Sequence, residues 1–532
     1  MTRIVIDPVT RIGGHLRIEA DVEGGVVTDA WSAATMFRGL EPALVGRDPR
    51  DAWLLAQRIC GTDNGVHALA SVRAVEHALG VVVPRNARLV RNLLAGCQLV
   101  TSHVSSFYGR HAPDWADLPY AMAGAPAEAA GGPRATGASP ELSAVIGAHA
   151  IEALAWRRTM ARLVTFLGGK SPHPQTFLVG GMSLTPPWGG PLRATVGEHP
   201  RRPGSRAPAA LSQRGLAAMA SLIDTARTFV DGAYLPDVLH LADVYRDRSG
   251  IGRGIGNYVS FGEFPEDDSD APALLLPRGR IMDHDPSVVF GADQSGVAET
   301  VAHAHYADDG DGSTLRYPLD GRTSPRYGGP PAPITSIAGS TRYSWAKAPR
   351  YFDDPMETGP LARVTVAYAG GRAAGEAGMT ATRIVGDLGL GADELLGTLG
   401  RTVARAVEAK IVADRLAGWL GELAANLESG DLSFIEISAW DPARWAHEAE
   451  GWSVGESARG AVGHWVRIRD RRIADYQVVD GNTWNVSPRD ARGRRGALEQ
   501  ALLGTPVPDA ADPIELLRTI RSFDPCIACA TH

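Results

Sequence analysis

Alternation of apolar and polar residues predicts a β-hairpin at the N-terminus of the chain. Apolar residues alternate with polar ones on both predicted strands, and Gly24-Gly25 supplies the turn; the apolar positions are Ile4, Ile6, Leu16, Ile18, Ala20 and Val22. A glycine-softened loop, Arg11-Ile-Gly-Gly-His15, lies between the strands. Two short strands are predicted near the C-terminus, at 465–468 and 473–479.

Apolar positions spaced by three to four residues predict helices over much of the remaining chain. One helix is expected to start at Asp48-Pro49 and end near Gly61, and the next to run from Asp63 to a stop at Gly80. Longer helical patterns cover 143–170, 210–235 and 392–428, and an apolar stripe from Ile514 to Phe523 predicts a terminal helix. The middle, 236–350, has the composition of strands and loops. These elements indicate a predominantly helical α+β protein.

Residues 1–532 are expected to form one large unit, because no internal repeat or domain linker is visible. The segment 124–142 is rich in Ala, Gly and Pro, and 186–208 in Pro, Gly and Arg; both are interpreted as surface excursions. The glycines of 250–256 do not have dinucleotide-binding spacing, so a turn is predicted there.

Composition narrows the classes of function. A net charge of -7 does not suggest nucleic acid or an anionic membrane surface as a partner, and four cysteines among 532 residues exclude a disulfide scaffold. The N-terminus lacks a charged-then-apolar leader, and no apolar run is long enough to span a bilayer. Export or membrane association would therefore depend on another subunit.

Two of the four cysteines, Cys526 and Cys529, lie in the last seven residues, and the chain ends at His532. A thiolate pair at this spacing can chelate a soft metal or close a redox disulfide. The apolar stripe before the pair predicts that the tail packs inward, where it would need a partner. The two remaining cysteines are Cys60 and Cys97, of which Cys97 lies on an apolar helical stretch and is interpreted as a core residue.

The stretches around these cysteines resemble the two metal-binding signatures of the large subunit of nickel–iron hydrogenases. One is Arg58-Ile-Cys60-Gly61 with His67, and the other is Asp524-Pro-Cys526-x-x-Cys529-x-x-His532. Further matches follow in the family's order, among them Asp7-Pro-Val-Thr-Arg11, Phe37-Arg-Gly-Leu-Glu41, Gly168-Gly-Lys-Ser-Pro-His173, Gly359-Pro-Leu-Ala-Arg363 and Ser487-Pro-Arg-Asp490. The resemblance implies a long-helix bundle with small peripheral sheets. It also implies reversible heterolytic cleavage of H2, with electrons passed to an iron–sulfur small subunit.

By this resemblance, the chain would hold nickel together with an iron that carries cyanide and carbon monoxide. Cys60 and Cys526 would be terminal nickel ligands and Cys529 a bridging ligand, while Asp63 occupies the fourth position, where the family has cysteine. A carboxylate is a harder ligand than a thiolate, so nickel affinity would shift. A separate Mg²⁺ or Fe²⁺ ion is implied at a second site, formed by Glu41, the carbonyl of Val478 and His532.

The resemblance assigns further residues to the surroundings of the metals. Arg459, Asp114, Asp524 and His67 match the family's charged and histidine side chains at the centre, and Arg459 or a cysteine thiolate would accept the proton. Asn482, Thr483 and Ala458 match positions beside the iron ligands, and the Asn482 amide can donate to a cyanide nitrogen. Gly13 stands where the family has a glutamate that passes protons, so water, Asp63 or His15 would have to replace it.

Several alternatives stay open at the level of sequence. Asp63 is interpreted as a metal ligand, as the N-cap of the following helix, or as both, since aspartate favours the N-cap position and a carboxylate has two oxygens. The chain is either an active enzyme or a sensor or structural subunit whose metal centre is altered or lost. The resemblance further implies maturation proteins as partners and a membrane-associated or periplasmic location through the small subunit, with the cytoplasm as the alternative.

Overall fold

A computed structural model describes residues 2–116, 118, 137–184, 211–269, 271–308, 310, 312–321, 323–326, 336–389 and 391–532. The expected excursion at 186–208 lies outside the described residues. The one at 124–142 is described only from residue 137 onward, where a long helix soon begins.

Helices dominate the described chain. The α-helices are α1 Leu40–Leu44, α2 Ala52–Ala56, α3 Asn64–Leu79, α4 Arg85–Ser106, α5 Pro140–Gly168, α6 Gln213–Phe229, α7 Leu235–Tyr245, α8 Pro360–Gly370, α9 Gly375–Asp387, α10 Thr398–Glu428, α11 Gly481–Asn485, α12 Ala497–Ala501, α13 Ile514–Ser522 and α14 Ile527–Ala530. Short π-helical turns extend α4 through Phe107–His111 and join α6 to α7 through Val230–Tyr234.

The strands form small antiparallel sheets at the periphery. They are β1 Thr2–Ile6, β2 Leu16–Glu23, β3 Val26–Ala34, β4 Phe177–Leu178, β5 Gly181–Met182, β6 Tyr258–Ser260, β7 Glu263–Pro265, β8 Leu274–Leu276, β9 Gly279–Ile281, β10 Val297–Thr300, β11 Ala348–Tyr351, β12 Glu448–Ser457, β13 Gly460–Arg469 and β14 Arg472–Val479. The two three-stranded sheets are β1-β2-β3 and β12-β13-β14, and the other strands pair in twos.

The 31-residue helix α10 is the centre of the helical bundle and packs against α4, α6, α7 and α8. The apolar positions that predicted this helix, including Leu399, Val403 and Leu416, are all buried. On the other side of the molecule, α3 packs across β12 and β13. Because α3 begins directly after Cys60 and Asp63, this packing fixes the first cysteine segment against the sheet.

Three elements of the structure differ from the sequence-based expectations. The helix expected over 48–61 is reduced to a 3₁₀ turn at Pro49–Asp51 and the short α2. The middle segment, expected to hold strands and loops, begins with α7, whose Pro236 lies in its first turn. Strand β12 was not predicted, because its glycines and charged residues hide the apolar alternation.

Among the residues described, no helix combines the length and hydropathy that a membrane span requires.

Candidate metal centre

Three cysteines from opposite ends of the chain converge in the interior. The Sγ atoms of Cys60, Cys526 and Cys529 lie within 4.8 Å of one another, and all three side chains are buried. Cys60 precedes α3, while Cys526 is the N-cap of α14 and Cys529 lies within it. Cys97 is buried elsewhere on α4, where desolvation raises the pKa of its thiol to about 12, in keeping with a core residue.

Backbone contacts hold the terminal cysteines against the N-terminal loop. The amide of Gly13 donates to the carbonyl of Pro525 over 3.1 Å, and Gly13 pairs with Cys526 as an isolated parallel bridge. A Cβ atom at Gly13 would lie only 3.0 Å from the Sγ atom of Cys526. Gly13 therefore permits a close approach of the backbone to a cysteine sulfur.

Arg38 joins the two cysteine segments, a role that sequence reasoning missed. Its Nη1 atom donates to the carbonyl of Ile59 over 2.6 Å and to the carbonyl of Ala528 over 2.9 Å. Each carbonyl belongs to the residue directly before a cysteine. Nothing in the spacing around Arg38 signals this contact, because it depends on two segments that are distant in sequence.

The Cys526 and Cys529 thiols differ in their pKa values. The Sγ atoms of Cys526 and Cys529 are 2.8 Å apart, and Cys529 donates to Cys526. Hydrogen bonds from Cys529 and Cys60 place the pKa of Cys526 well below its ordinary value, whereas burial raises the pKa of Cys529. A thiolate is therefore favoured at Cys526, which is the form that binds metals.

Asp63 occupies the N-cap position of α3, but its side chain does not cap the helix. The carboxylate instead pairs through Oδ2 with Nη1 of Arg459, while Oδ1 is buried without a hydrogen-bond partner. Its oxygens do not belong to the group of ligand atoms formed by the three sulfurs. Burial raises the pKa of Asp63 to about 7, although Arg459 acts in the opposite direction.

Arg459 links the carboxylates to the first cysteine segment. Its Nη2 atom lies 3.1 Å from Oδ2 of Asp524, and its Nη1 atom donates to the Thr62 hydroxyl over 2.8 Å. The Thr62 hydroxyl in turn lies 3.3 Å from the Sγ atom of Cys60. Arg110 adds a second cation at Asp524, over 2.8 Å, and this partner was not predicted.

Asp114 lies apart from the ion pair of Arg459 and Asp524. Its carboxylate is bound by Arg11 and, over 2.6 Å, by Nη1 of Arg521. The structure therefore brings Arg459, Asp63 and Asp524 together, while Asp114 is tied into a neighbouring arginine cluster. That cluster anchors α13 to the N-terminal loop.

The residues expected near the iron ligands line the same interior. Asn482 accepts from the backbone amide of Cys526 over 2.7 Å and donates through Nδ2 to Asp480 over 2.7 Å. Thr483 donates its hydroxyl to the carbonyl of Ala530 over 3.3 Å, and Ala458 is buried beside Arg459 in sequence. Asn482 therefore orients the second cysteine pair through its side-chain carbonyl.

Glu41 and His532 meet at the second predicted site. The Nε2 atom of His532 lies 3.2 Å from Oε1 of Glu41, which also accepts from the backbone amide of Val478 over 2.7 Å. Lys347 lies 3.5 Å from Oε2 of Glu41, and this cation together with His532 lowers the pKa of Glu41 to about 2 against the effect of burial. A polar cavity of about 610 Å³ borders Glu41. The described contact of Val478 is its amide rather than the expected carbonyl.

The donors at the cysteine site fit a soft metal ion. Three buried sulfurs are close enough together to share one ion, and Asp63 Oδ1 is a buried oxygen left without a partner. Thiolates favour nickel and similar ions, and a lone buried oxygen acceptor is costly unless something binds it. The second site offers one carboxylate and one imidazole, which suits a harder divalent ion completed by water.

Comparison with known proteins supports the same family over the whole chain. The model of the family described as nickel-dependent hydrogenase matches residues 38–134 and 131–532, and a HoxL-like model matches residues 3–35. The uptake hydrogenase large subunit of Bradyrhizobium diazoefficiens is 38% identical, with 100% of this chain and 95% of that protein covered. The hydrogenase-1 large chain of Escherichia coli K12 is 36% identical, with the same coverage of 100% and 95%.

A solved structure shows the same fold. The Ni-Fe-Se hydrogenase from D. vulgaris Hildenborough, in its reduced state, superposes with a TM-score of 0.83 at 33% identity, and all of both chains is covered. The prediction of a hydrogenase large-subunit fold, made from the cysteine signatures, is thus confirmed. This chain belongs to the nickel-dependent hydrogenase family, as a large subunit.

Proposed function

We propose that this chain is the catalytic large subunit of a hydrogenase that oxidises H2. The observation that carries this proposal is the convergence of Cys60, Cys526 and Cys529 in a buried group within 4.8 Å. Three buried cysteines brought together from two ends of a long chain are not required for packing alone, since apolar residues pack equally well. The family membership and the names of the relatives support the same reaction.

The cysteines would hold nickel, with an iron that carries cyanide and carbon monoxide, and this centre would supply the redox chemistry of H2 cleavage. Asp63 would offer Oδ1 at the remaining position while Oδ2 stays on Arg459. The buried guanidinium of Arg459 keeps a fixed positive charge beside the centre, and Asp524 and Asp63 hold it in place. Asn482 and Thr483 would line the iron side.

Protons would be handled by groups already at the centre. The Asp63 carboxyl can do this only while Oδ1 is free of metal, since burial of the unligated group raises its pKa to about 7. When Oδ1 ligates nickel, a cysteine thiolate or Arg459 would accept the proton. Gly13 offers no titrating group at this point.

At the second site, Glu41 and His532 would bind Mg²⁺ or Fe²⁺ and fasten the end of the chain. The carbonyl of Val478 would complete the protein ligands, with water from the adjoining cavity.

We further propose that residues 1–532 act as one unit, together with an iron–sulfur small subunit and with maturation proteins that insert nickel. The small subunit would place the complex at a membrane or in the periplasm.

Metal analysis of the chain produced with its own maturation proteins tests the proposal. Nickel near one per chain, iron near one per chain (two when Fe²⁺ occupies the second site), infrared bands of cyanide and carbon monoxide, and H2-dependent dye reduction are expected. Cys529→Ser should abolish all three. Cys97→Ser is the matched control, since it removes a buried cysteine outside the centre and should retain them. Absence of nickel from the matured protein would overturn the proposal and favour a structural or sensory subunit.

A further inference from the structure

The four residues from Cys60 to Asp63 fold around the sulfur of Cys60. The backbone amide of Asp63 donates to the Sγ atom of Cys60 over 3.1 Å, and the hydroxyl of Thr62 lies 3.3 Å from the same sulfur. Cys60 is buried, whereas Thr62 is exposed. Two polar groups of its own segment therefore reach the Cys60 sulfur, and sequence reasoning did not single out Thr62.

Arg459 fixes which atom is the donor in the contact between Thr62 and Cys60. A guanidinium has only donors, so Nη1 of Arg459 donates to the Thr62 oxygen in the 2.8 Å bond between them. This bond leaves the single proton of the Thr62 hydroxyl free. Cys60 bound to a metal ion is a thiolate, which can only accept. Thr62 then donates its proton to the Cys60 sulfur, the other hydrogen-bond contact described for this hydroxyl.

The two cysteines of the tail have different surroundings. Cys529 donates to the sulfur of Cys526 over 2.8 Å, and among the described residues no hydroxyl or amide donates to either sulfur. A hydrogen bond to a ligating sulfur withdraws electron density from it and raises the reduction potential of the metal. Of the three sulfurs, that of Cys60 is thus the one whose donor strength is reduced by an oxygen and a nitrogen donor.

We propose that Thr62 is a positioning residue, which is held by Arg459 so that its hydroxyl donates to the Cys60 sulfur and makes Cys60 the weakest electron donor of the three cysteine ligands. This inference rests on the proposed function, in which Cys60 binds nickel. Loss of the Thr62 hydroxyl should change the electronic properties of the metal and leave the metal bound. Arg459 keeps its contacts with Asp63 and Asp524 when that hydroxyl is lost.

Titration of the full, metal-free chain with Co²⁺ tests this inference without maturation proteins. Thiolate ligands give Co²⁺ an intense near-ultraviolet band, in which charge moves from sulfur to metal, and a hydrogen bond to the sulfur shifts that band to shorter wavelength. Thr62→Val replaces the hydroxyl with a methyl group, which also keeps water out of its place. The band should therefore move to longer wavelength at an unchanged Co²⁺ stoichiometry. An unmoved band in Thr62→Val, or a wild type without a thiolate band, would overturn the proposal.

Two further variants separate the hydroxyl from general effects of substitution. Thr62→Ser keeps the hydroxyl and loses only a methyl group, so its band should match that of the wild type. Thr10→Val is the matched control, because Thr10 is also an exposed threonine that accepts from an arginine, over 3.0 Å from Nη2 of Arg521, and no sulfur contact is described for it. Its band should not move. A shift in either variant as large as that in Thr62→Val would contradict the proposal.

The matured protein separates this inference from the proposed function. The midpoint potential of bound nickel should be lower in Thr62→Val than in the wild type, and unchanged in Thr62→Ser, because only the valine variant lacks the donor to sulfur. Absence of nickel from the wild type would overturn the proposed function, while the Co²⁺ band would still report the contact of Thr62. Nickel with the same potential in Thr62→Val and the wild type would overturn this inference and leave the proposed function standing.

Discussion

At the scale of single residues, Asp63 distinguishes this centre from one with four cysteines. One of its oxygens is held by Arg459, and the other is buried without a hydrogen-bond partner. The sequence identified position 63 but not the separate environments of its two carboxylate oxygens. Arg459 comes from the turn between β12 and β13, almost 400 residues away. The alternative that Asp63 serves as a helix cap finds no support, since its side chain makes no capping bond.

Asp63→Cys should raise the nickel content of the matured protein, because a thiolate is a softer ligand than a carboxylate. The same change removes one partner of the buried Arg459, so the thermal midpoint should fall. Asp63→Asn is the control: it can still bond to Arg459 but offers no charge, and its nickel content should drop below that of the wild type. Equal nickel content in all three proteins would show that residue 63 does not ligate metal.

Gly14 is required for the shape of the N-terminal loop at the centre. Its φ is +87°, and a Cβ there would lie 3.1 Å from the amide nitrogen of Ala528. Gly14→Ala should therefore destabilise the protein by about 1–3 kcal/mol and reduce nickel content, because the tail must shift. Gly24→Ala is the control, with φ +59° but open space around the new atom. Its nickel content should match the wild type, and a loss in both variants would point to backbone strain alone.

At the scale of elements, apolar periodicity predicted the helices and strands that depend on local sequence. The N-terminal hairpin, α10 and the terminal helix were predicted from apolar spacing and are present. The buried ion pairs that join different elements were not predicted. Arg363 on α8 is fully buried between Glu408 of α10 and Glu456 of β12. A charged residue in a sequence is normally read as exposed, and its burial depends on partners from distant segments.

Glu499 on α12 joins elements in the same way and makes stability depend on pH. Its Oε1 atom accepts from the backbone of Ser32 on β3 over 3.0 Å and from the hydroxyl of Tyr343 over 2.9 Å. Burial raises its pKa from an ordinary 4.5 to about 7. The folded state thus holds the proton more tightly, so stability is complete below pH ~4.5 and is lost as pH rises towards 7, by about 3 kcal/mol at most.

Glu499→Gln should remove this dependence, since the amide keeps the accepting oxygen and never ionises. The variant should gain thermal stability over the wild type as pH rises from about 5 to about 8. Glu448→Gln, at an exposed side chain, is the control and should show no such trend. A constant difference between Glu499→Gln and the wild type across this range would contradict the assigned pKa.

At the scale of the whole molecule, the cysteine site joins parts of the chain that are otherwise far apart. Cys60 belongs to the segment that α3 fixes on the C-terminal sheet, whereas Cys526 and Cys529 belong to a tail held by the N-terminal loop. The pairing of the two signatures was predictable from their soft ligands. The contacts that support them were not predictable, because each forms only when distant elements pack. They are made by Arg38, by Arg110 and by His67, whose Nδ1 atom lies 3.1 Å from Nε2 of His464.

Metal binding should therefore stabilise three distant segments together. Ions that bind only the folded state add stability by mass action, about 4 kcal/mol at a thousandfold excess over Kd. Loading with nickel should slow amide hydrogen exchange at 10–15, 60–67 and 526–532 to a similar extent, as measured by mass spectrometry. Cys60→Ser should remove the protection from all three segments, including the tail that it does not alter, whereas Cys97→Ser should keep it. Protection that persists in the tail of Cys60→Ser would show that Cys526 and Cys529 bind the metal without the first segment.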